Sequence, residues 1–99
     1  MPAPWPSTTL LAPLTKGGNQ AFRRLCVDYG AQVTCSEMAY AHFLLKGKGR
    51  ELALLRPHAS EPFWGVQLAA NKPAVAADAA KLAVDRGARF VDLNCGCPI

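Results

Sequence analysis

The chain is short of charge, of long apolar runs and of patterned cysteine. Charged residues make up 18% of its 99 residues and hydrophobic ones 51%. That balance excludes a chain kept unfolded by self-repulsion and leaves enough apolar side chains for a core. No apolar stretch approaches the ~18 residues that span a bilayer, so no membrane partner is expected. The opening MPAPWP lacks the basic-then-apolar layout of a secretory signal, and residues 1–8 read as an extended leader stiffened by proline. The four cysteines, Cys26, Cys35, Cys95 and Cys97, include no C-x-x-C pair. Neither a structural zinc site nor a disulfide framework is therefore expected, and free thiols in a reducing cytoplasm fit better. Internal repeats, low-complexity tracts and the aromatic-rich platform of single-strand binders are absent as well.

What charge there is lies unevenly. Residues 1–50 hold Lys16, Arg23, Arg24, Lys46, Lys48 and Arg50 against Asp28 and Glu37, a net +4, while residues 51–99 balance to zero. A basic first half is compatible with nucleic acid and equally with a solvated surface.

Turn residues divide the chain into alternating elements. Residues 9–12 form a short apolar run closed by Pro13, a first strand. After a loop, Asn19 is placed to cap a helix whose Phe22, Leu25, Cys26 and Tyr29 recur at helical spacing until Gly30 stops it. Residues 31–36 read as a second strand ending at Glu37. A second helix starts near Met38 with Tyr40, Phe43 and Leu44 as its apolar face, broken over residues 46–50. Residues 51–55 fit a short strand or a further helical turn. Residues 63–68 are a third strand, and Asn71 is expected to cap a third helix with Pro73 in its first turn. Val75, Ala79, Leu82 and Ala83 mark its buried stripe, Gly87 ends it, and residues 90–94 form a fourth strand.

The order βαβαβαβ implies an α/β fold with a parallel sheet and right-handed crossovers. Four strand–helix units are the amino-terminal half of a (β/α)8 TIM barrel, which usually takes ~250 residues, so residues 9–99 are expected to be a partial barrel and the chain a fragment. Pro13 and Leu14, Glu37, Gln67, and Asn94 with Cys97 all fall at strand ends, which in a barrel share one mouth. Gln67, polar within an apolar strand, either meets a ligand's donor–acceptor edge or bonds a neighbouring backbone. Glu37 reads better as a satisfied strand-end carboxylate than as a pocket residue. Lys16, Arg23 and Arg24 could meet phosphates near the mouth or lie solvated. Cys97, between Gly96 and Pro98 after a strand, is placed for chemistry rather than for packing.

Three segments, LAPLTKGGNQAFRRLC (residues 11–26), FWGVQLAANKP (63–73) and VDLNCGCPI (91–99), resemble the amino-terminal half of the tRNA-dihydrouridine synthases. The TKGxN loop is most similar to the branch that modifies a variable-loop uridine. The specific element is N-x-G-C-P, whose free position x is Cys95 here, so the resemblance implies a packing residue at 95; it spans nearly the whole chain. It implies an FMN-dependent reductase on a TIM barrel, with a smaller helical domain helping to hold tRNA and the remaining barrel half expected in the full-length chain. It implies that Pro13, Leu14 and Thr15 lie against FMN, that Gln67 hydrogen-bonds the flavin ring, that Asn94 sits beside the target base, and that Cys97 is the proton donor. NADPH would reduce FMN, hydride would reach C6 of uracil, and the thiol would protonate C5. An ordinary thiol, with a pKa near ~8.5, is mostly protonated at neutral pH and serves as such a donor. The base must leave the RNA stack to reach it. The resemblance also implies that flavin and phosphate contacts from later strands are needed, so residues 1–99 alone are expected to hold no stoichiometric FMN. Two alternatives remain at this level: an FMN barrel reducing free pyrimidines, which usually carries Ser where Gly96 stands, and a non-catalytic remnant.

Overall fold

A computed structural model describes residues 8–96. In chain order the elements are β1 (Leu10–Leu11), α1 (Gln20–Asp28), β2 (Val33–Cys35), β3 (Ala39–Tyr40), α2 (Ala41–Leu45), α3 (Gly49–Leu52), β4 (Trp64–Ala69), α4 (Pro73–Asp85) and β5 (Val91–Leu93). Every strand pairing is parallel: β1 with β2, β2 and β3 with β4, and β4 with β5. The structure thus has the α/β, all-parallel order expected for the first half of a barrel. Among the described residues, no helix is long and apolar enough to cross a membrane.

The expected second strand is split. Both β2 and β3 lie along the edge of β4 opposite β5. The register moves from Cys35↔Gly65 to Ala39↔Leu68. One side takes four steps where β4 takes three, which is a bulge over residues 36–38. A bulge at a strand end redirects side chains, and this one aims Ser36 and Glu37 towards the neighbouring strand and loop. The expected start of the second helix at Met38 is accordingly corrected: residues 39 and 40 pair with β4 first, and α2 begins at Ala41. The undecided segment at residues 51–55 begins in helix α3 and continues as a turn.

The core lies between the sheet and its helices. Trp64, Val66 and Leu68 of β4 pack with Ala41 and Leu44 of α2, Ala79 and Ala83 of α4, and Leu55. Burying each of the larger side chains contributes about 1.5–3 kcal/mol. Strand alternation then turns Gly65 and Gln67 to the opposite, inner face. There a Cβ at Gly65 would collide with the Phe90 ring, which stacks on Phe63 at 5.9 Å. Glycine is therefore required at position 65.

Two helix assignments hold and two details change. Asn19 caps α1, its Oδ1 accepting from Phe22 N at 2.9 Å, and Gly30 closes it at φ 108°. Pro73 opens α4 as expected, but the cap position is Lys72 rather than Asn71, with no side-chain hydrogen bond. On α1 the expected stripe is not what is buried: Phe22 and Leu25 are exposed, Tyr29 is 86% exposed, and Arg23 is the buried residue. Spacing alone identified an apolar face, but an ion pair decides which side of α1 meets the sheet.

Candidate active site

The inner face of β4 and β5 carries three polar side chains in hydrogen-bonding reach. The register sets Gln67 beside Asp92, and Asn94, two residues on, falls on the same face. Gln67 Nε2 donates to Asp92 Oδ2 at 2.6 Å. Asn94 Nδ2 donates to Gln67 Oε1 at 3.4 Å, and Asn94 Oδ1 accepts from Gly96 N at 3.0 Å. A carboxylate only accepts, so Asp92 fixes which end of the Gln67 amide faces it and leaves the carbonyl turned towards Asn94 and the mouth. The Gln67 backbone N–H donates to Ser36 Oγ at 3.2 Å, which ties the site to the bulge. Of the two sequence readings of Gln67, the backbone partner is ruled out for its side chain, which bonds two side chains.

The loop after β1 is tied to the bulge after β2. Leu14 O accepts from Gly17 N at 3.1 Å and Gly18 N at 2.6 Å, and Lys16 sits at φ 66°. Glu37 Oε1 accepts from Lys16 N at 3.2 Å, which supports the structural reading of Glu37. From below, Arg23 donates from NH1 to Gly18 O at 2.9 Å. The loop that carries Pro13, Leu14 and Thr15 is therefore pinned through Leu14 O, Lys16 N and Gly18 O, with Leu14 53% exposed.

Arg23 does not meet phosphate. Its Nε donates to Glu61 Oε1 at 2.6 Å, with the two side chains 2% and 0% exposed. NH2 reaches Arg56 O at 3.1 Å, while Thr34 Oγ1 and His58 N also donate to Glu61. Sequence reasoning passed over both Glu61 and Asp92. Asp92 was signalled by parity, being two residues before Asn94 on one strand; Glu61 in its loop gave no local signal.

The cysteines separate by environment. Cys35 is buried and its thiol is pushed up to about 12, by burial first and then by the Asp92 carboxylate, against the opposing pull of Arg23. Cys95 is exposed, which corrects the packing role expected for it. Cys97, the expected proton donor, lies outside the described residues. No group of three or more metal-ligating side chains occurs among the described residues.

Parallel α/β proteins bind ligands where strands end, and the all-parallel order with Gln67 and Asn94 at strand ends defines this chain as part of an α/β barrel protein. The chain belongs to the dihydrouridine synthase family: the family model described as Dihydrouridine synthase (Dus) matches residues 10–99. It is 48% identical over 98 residues to the tRNA-dihydrouridine(47) synthase (NAD(P)(+)) of Coprinopsis cinerea, covering 96% of this chain and 14% of that protein. It is 50% identical over 91 residues to a protein of Arabidopsis thaliana named as like that synthase, covering 90% of this chain and 13% of the relative. The Cryptococcus neoformans synthase of the same name is 49% identical over 100 residues, covering 96% of this chain and 14% of that protein. The chain thus spans about a seventh of the length of these curated relatives.

Proposed function

We propose that this chain is the amino-terminal barrel half of an FMN-dependent, NAD(P)H-driven tRNA-dihydrouridine synthase acting in the cytoplasm on the variable-loop uridine at position 47. Membership of the family supports the reaction class, and the names of the relatives support the position and the nicotinamide reductant. The observation that carries the reading is the Asp92–Gln67–Asn94 arrangement at the strand ends. Its two amides suit the donor–acceptor edges of a flavin ring and a uracil, and the pinned loop over residues 13–15 offers backbone and small side chains for a planar ring to lie against. That donor set fits FMN.

FMN, when bound, supplies the hydride that reaches C6 of uracil and is itself renewed by NAD(P)H. The chain's own residues do the rest. Asp92 orients the Gln67 amide, and Gln67 presents its carbonyl towards the mouth. Asn94, fixed through Gly96 N, holds the base edge. Cys97 would deliver the proton to C5, the carbon on which hydride addition leaves the negative charge. One hydride and one proton convert the C5–C6 double bond to a single bond, and the thiolate recovers a proton from solvent. A positioned general acid contributes about 10²–10⁴-fold to such a step.

The test uses the full-length protein. It is expected to purify with FMN and to form dihydrouridine in unmodified tRNA. Cys97→Ala should lose about 10²–10⁴-fold in tRNA turnover while flavin reduction by NADPH proceeds at the original rate. Reduction of free uracil with tRNA left untouched would overturn the assignment.

A further inference from the structure

The far side of the mouth carries an aromatic ridge flanked by two clefts. Tyr40 and Phe43 were expected to face the core of the second helix. Instead, Tyr40 is half-buried and His42 and Phe43 are exposed, which corrects the expected absence of an aromatic platform: the fold gathers three rings that the sequence does not show as one. The His42 and Phe43 ring centroids are 4.1 Å apart, and Tyr40 meets Phe43 edge-on at 5.8 Å. On one side of this ridge a cleft of about 280 Å³ runs to Asn71 and Asn94. On the other, a cleft of about 780 Å³ is lined by Lys16, Lys48 and Arg50 with Glu37 and Glu51. Each carboxylate turns one oxygen to backbone: Glu37 Oε1 accepts from Lys16 N, and Glu51 Oε2 accepts from Tyr40 N at 2.7 Å. Lys16, Lys48 and Arg50 form no ion pair among the described residues.

Three cations against two carboxylates, beside exposed aromatic side chains and continuous with Asn94, match the alternating phosphates and bases of single-stranded RNA. An acidic peptide would use the cations but leave the π-faces idle. Resting on the tRNA-reductase reading, we infer that the Tyr40–His42–Phe43 ridge stacks a nucleotide flanking the target uridine, with Lys48 and Arg50 on its phosphates. The ridge keeps the flanking strand splayed while the target base occupies the Asn94 cleft. Stacking on a protein ring offsets part of the cost of taking a base out of its stack.

The experiment compares full-length wild type with His42→Ala/Phe43→Ala and Lys48→Glu/Arg50→Glu, using an unmodified tRNA transcript as the probe. Each double variant should raise the tRNA Kd by about tenfold or more. Only the charge variant should flatten the dependence of log Kd on log salt, by about 1.4 for two lost single-strand phosphate contacts. Flavin content and flavin reduction by NADPH should match wild type in both. Unchanged Kd and salt slope in variants that keep their flavin would overturn the inference while leaving the reductase reading intact. Variants that melt earlier but bind tRNA as wild type does would show another part of the protein on this face, and would also overturn it. A wild-type protein that neither binds tRNA nor forms dihydrouridine would remove the reductase reading and the inference together.

Discussion

Two polar clusters, each built around one carboxylate, lie on opposite faces of the same sheet. Glu61 sits between α1 and the sheet with Arg23, Thr34 and His58 N around it, and both ionised side chains are essentially sealed from solvent. Asp92 sits on the inner face with Gln67 and Asn94, at a half-open mouth. The first cluster is saturated: the Arg23 guanidinium spends its donors on Glu61, Gly18 O and Arg56 O. The second is steered: Asp92 fixes which end of the Gln67 amide it meets, and Asn94 meets the other end. A buried charge whose every partner is internal holds the fold, whereas a carboxylate that fixes the direction of a neutral amide prepares a site.

The largest expected effect breaks the saturated cluster. Glu61→Ala leaves the Arg23 guanidinium buried without its counter-charge, a change that costs about 3–5 kcal/mol. Denaturant midpoints of the full-length protein measure it. Arg23→Met with Glu61→Leu should recover only part of the loss, because the carbonyls of Gly18 and Arg56 still lack their donor. A cost below about 1 kcal/mol for Glu61→Ala would end the distinction between the two clusters.

Cys35 lies between the clusters and responds to both. Its thiol, displaced from 9.0 to about 12, is raised by burial, raised further by Asp92 and lowered by Arg23. Because the folded value exceeds the unfolded one, Cys35 adds stability that is fully present below pH 9 and is lost as pH climbs towards 12. The slope in that window is at most about 1.4 kcal/mol per pH unit. Cys35→Ala should flatten the alkaline limb of the stability curve and leave its slope near neutrality as it was. Asp92→Asn should move the onset of Cys35 alkylation to lower pH, and an unmoved onset would detach Cys35 from the inner-face cluster.

The sequence makes the inner-face cluster far more legible than the buried one. Gln67 and Asn94 stand out as polar residues ending apolar strands, and a short motif fixes their context. Strand order is equally readable, since Asn19, Gly30, Pro73 and Gly87 punctuate the chain through local backbone chemistry. The Arg23–Glu61 pair joins residues 38 apart, and no local pattern distinguishes a buried arginine from a solvated one. The same gap misassigned the apolar stripe of α1, because helical spacing identifies a face without saying which neighbour it meets. The bulge at residues 36–38 was hidden for a related reason. It shows only as a one-residue change of register against β4, and a strand read alone has no register.

The smallest effect is the sharpest comparison. Asp92→Asn keeps the shape of the inner-face cluster but gives residue 92 a donor as well as an acceptor, so Gln67 can turn either end of its amide towards it. Stability should change by less than about 1 kcal/mol, against the larger loss at Glu61, because the inner-face cluster is neutral on one side and half open. FMN affinity of the full-length protein should fall by about tenfold, the worth of one misdirected hydrogen bond of about 1.4 kcal/mol. Gln67→Leu should lose as much affinity, and combining it with Asp92→Asn should add little, since an aspartate acting only through Gln67 has nothing left to orient. Additive losses in that double variant would mean that Asp92 meets the ligand itself, making it a binding residue rather than a positioning one.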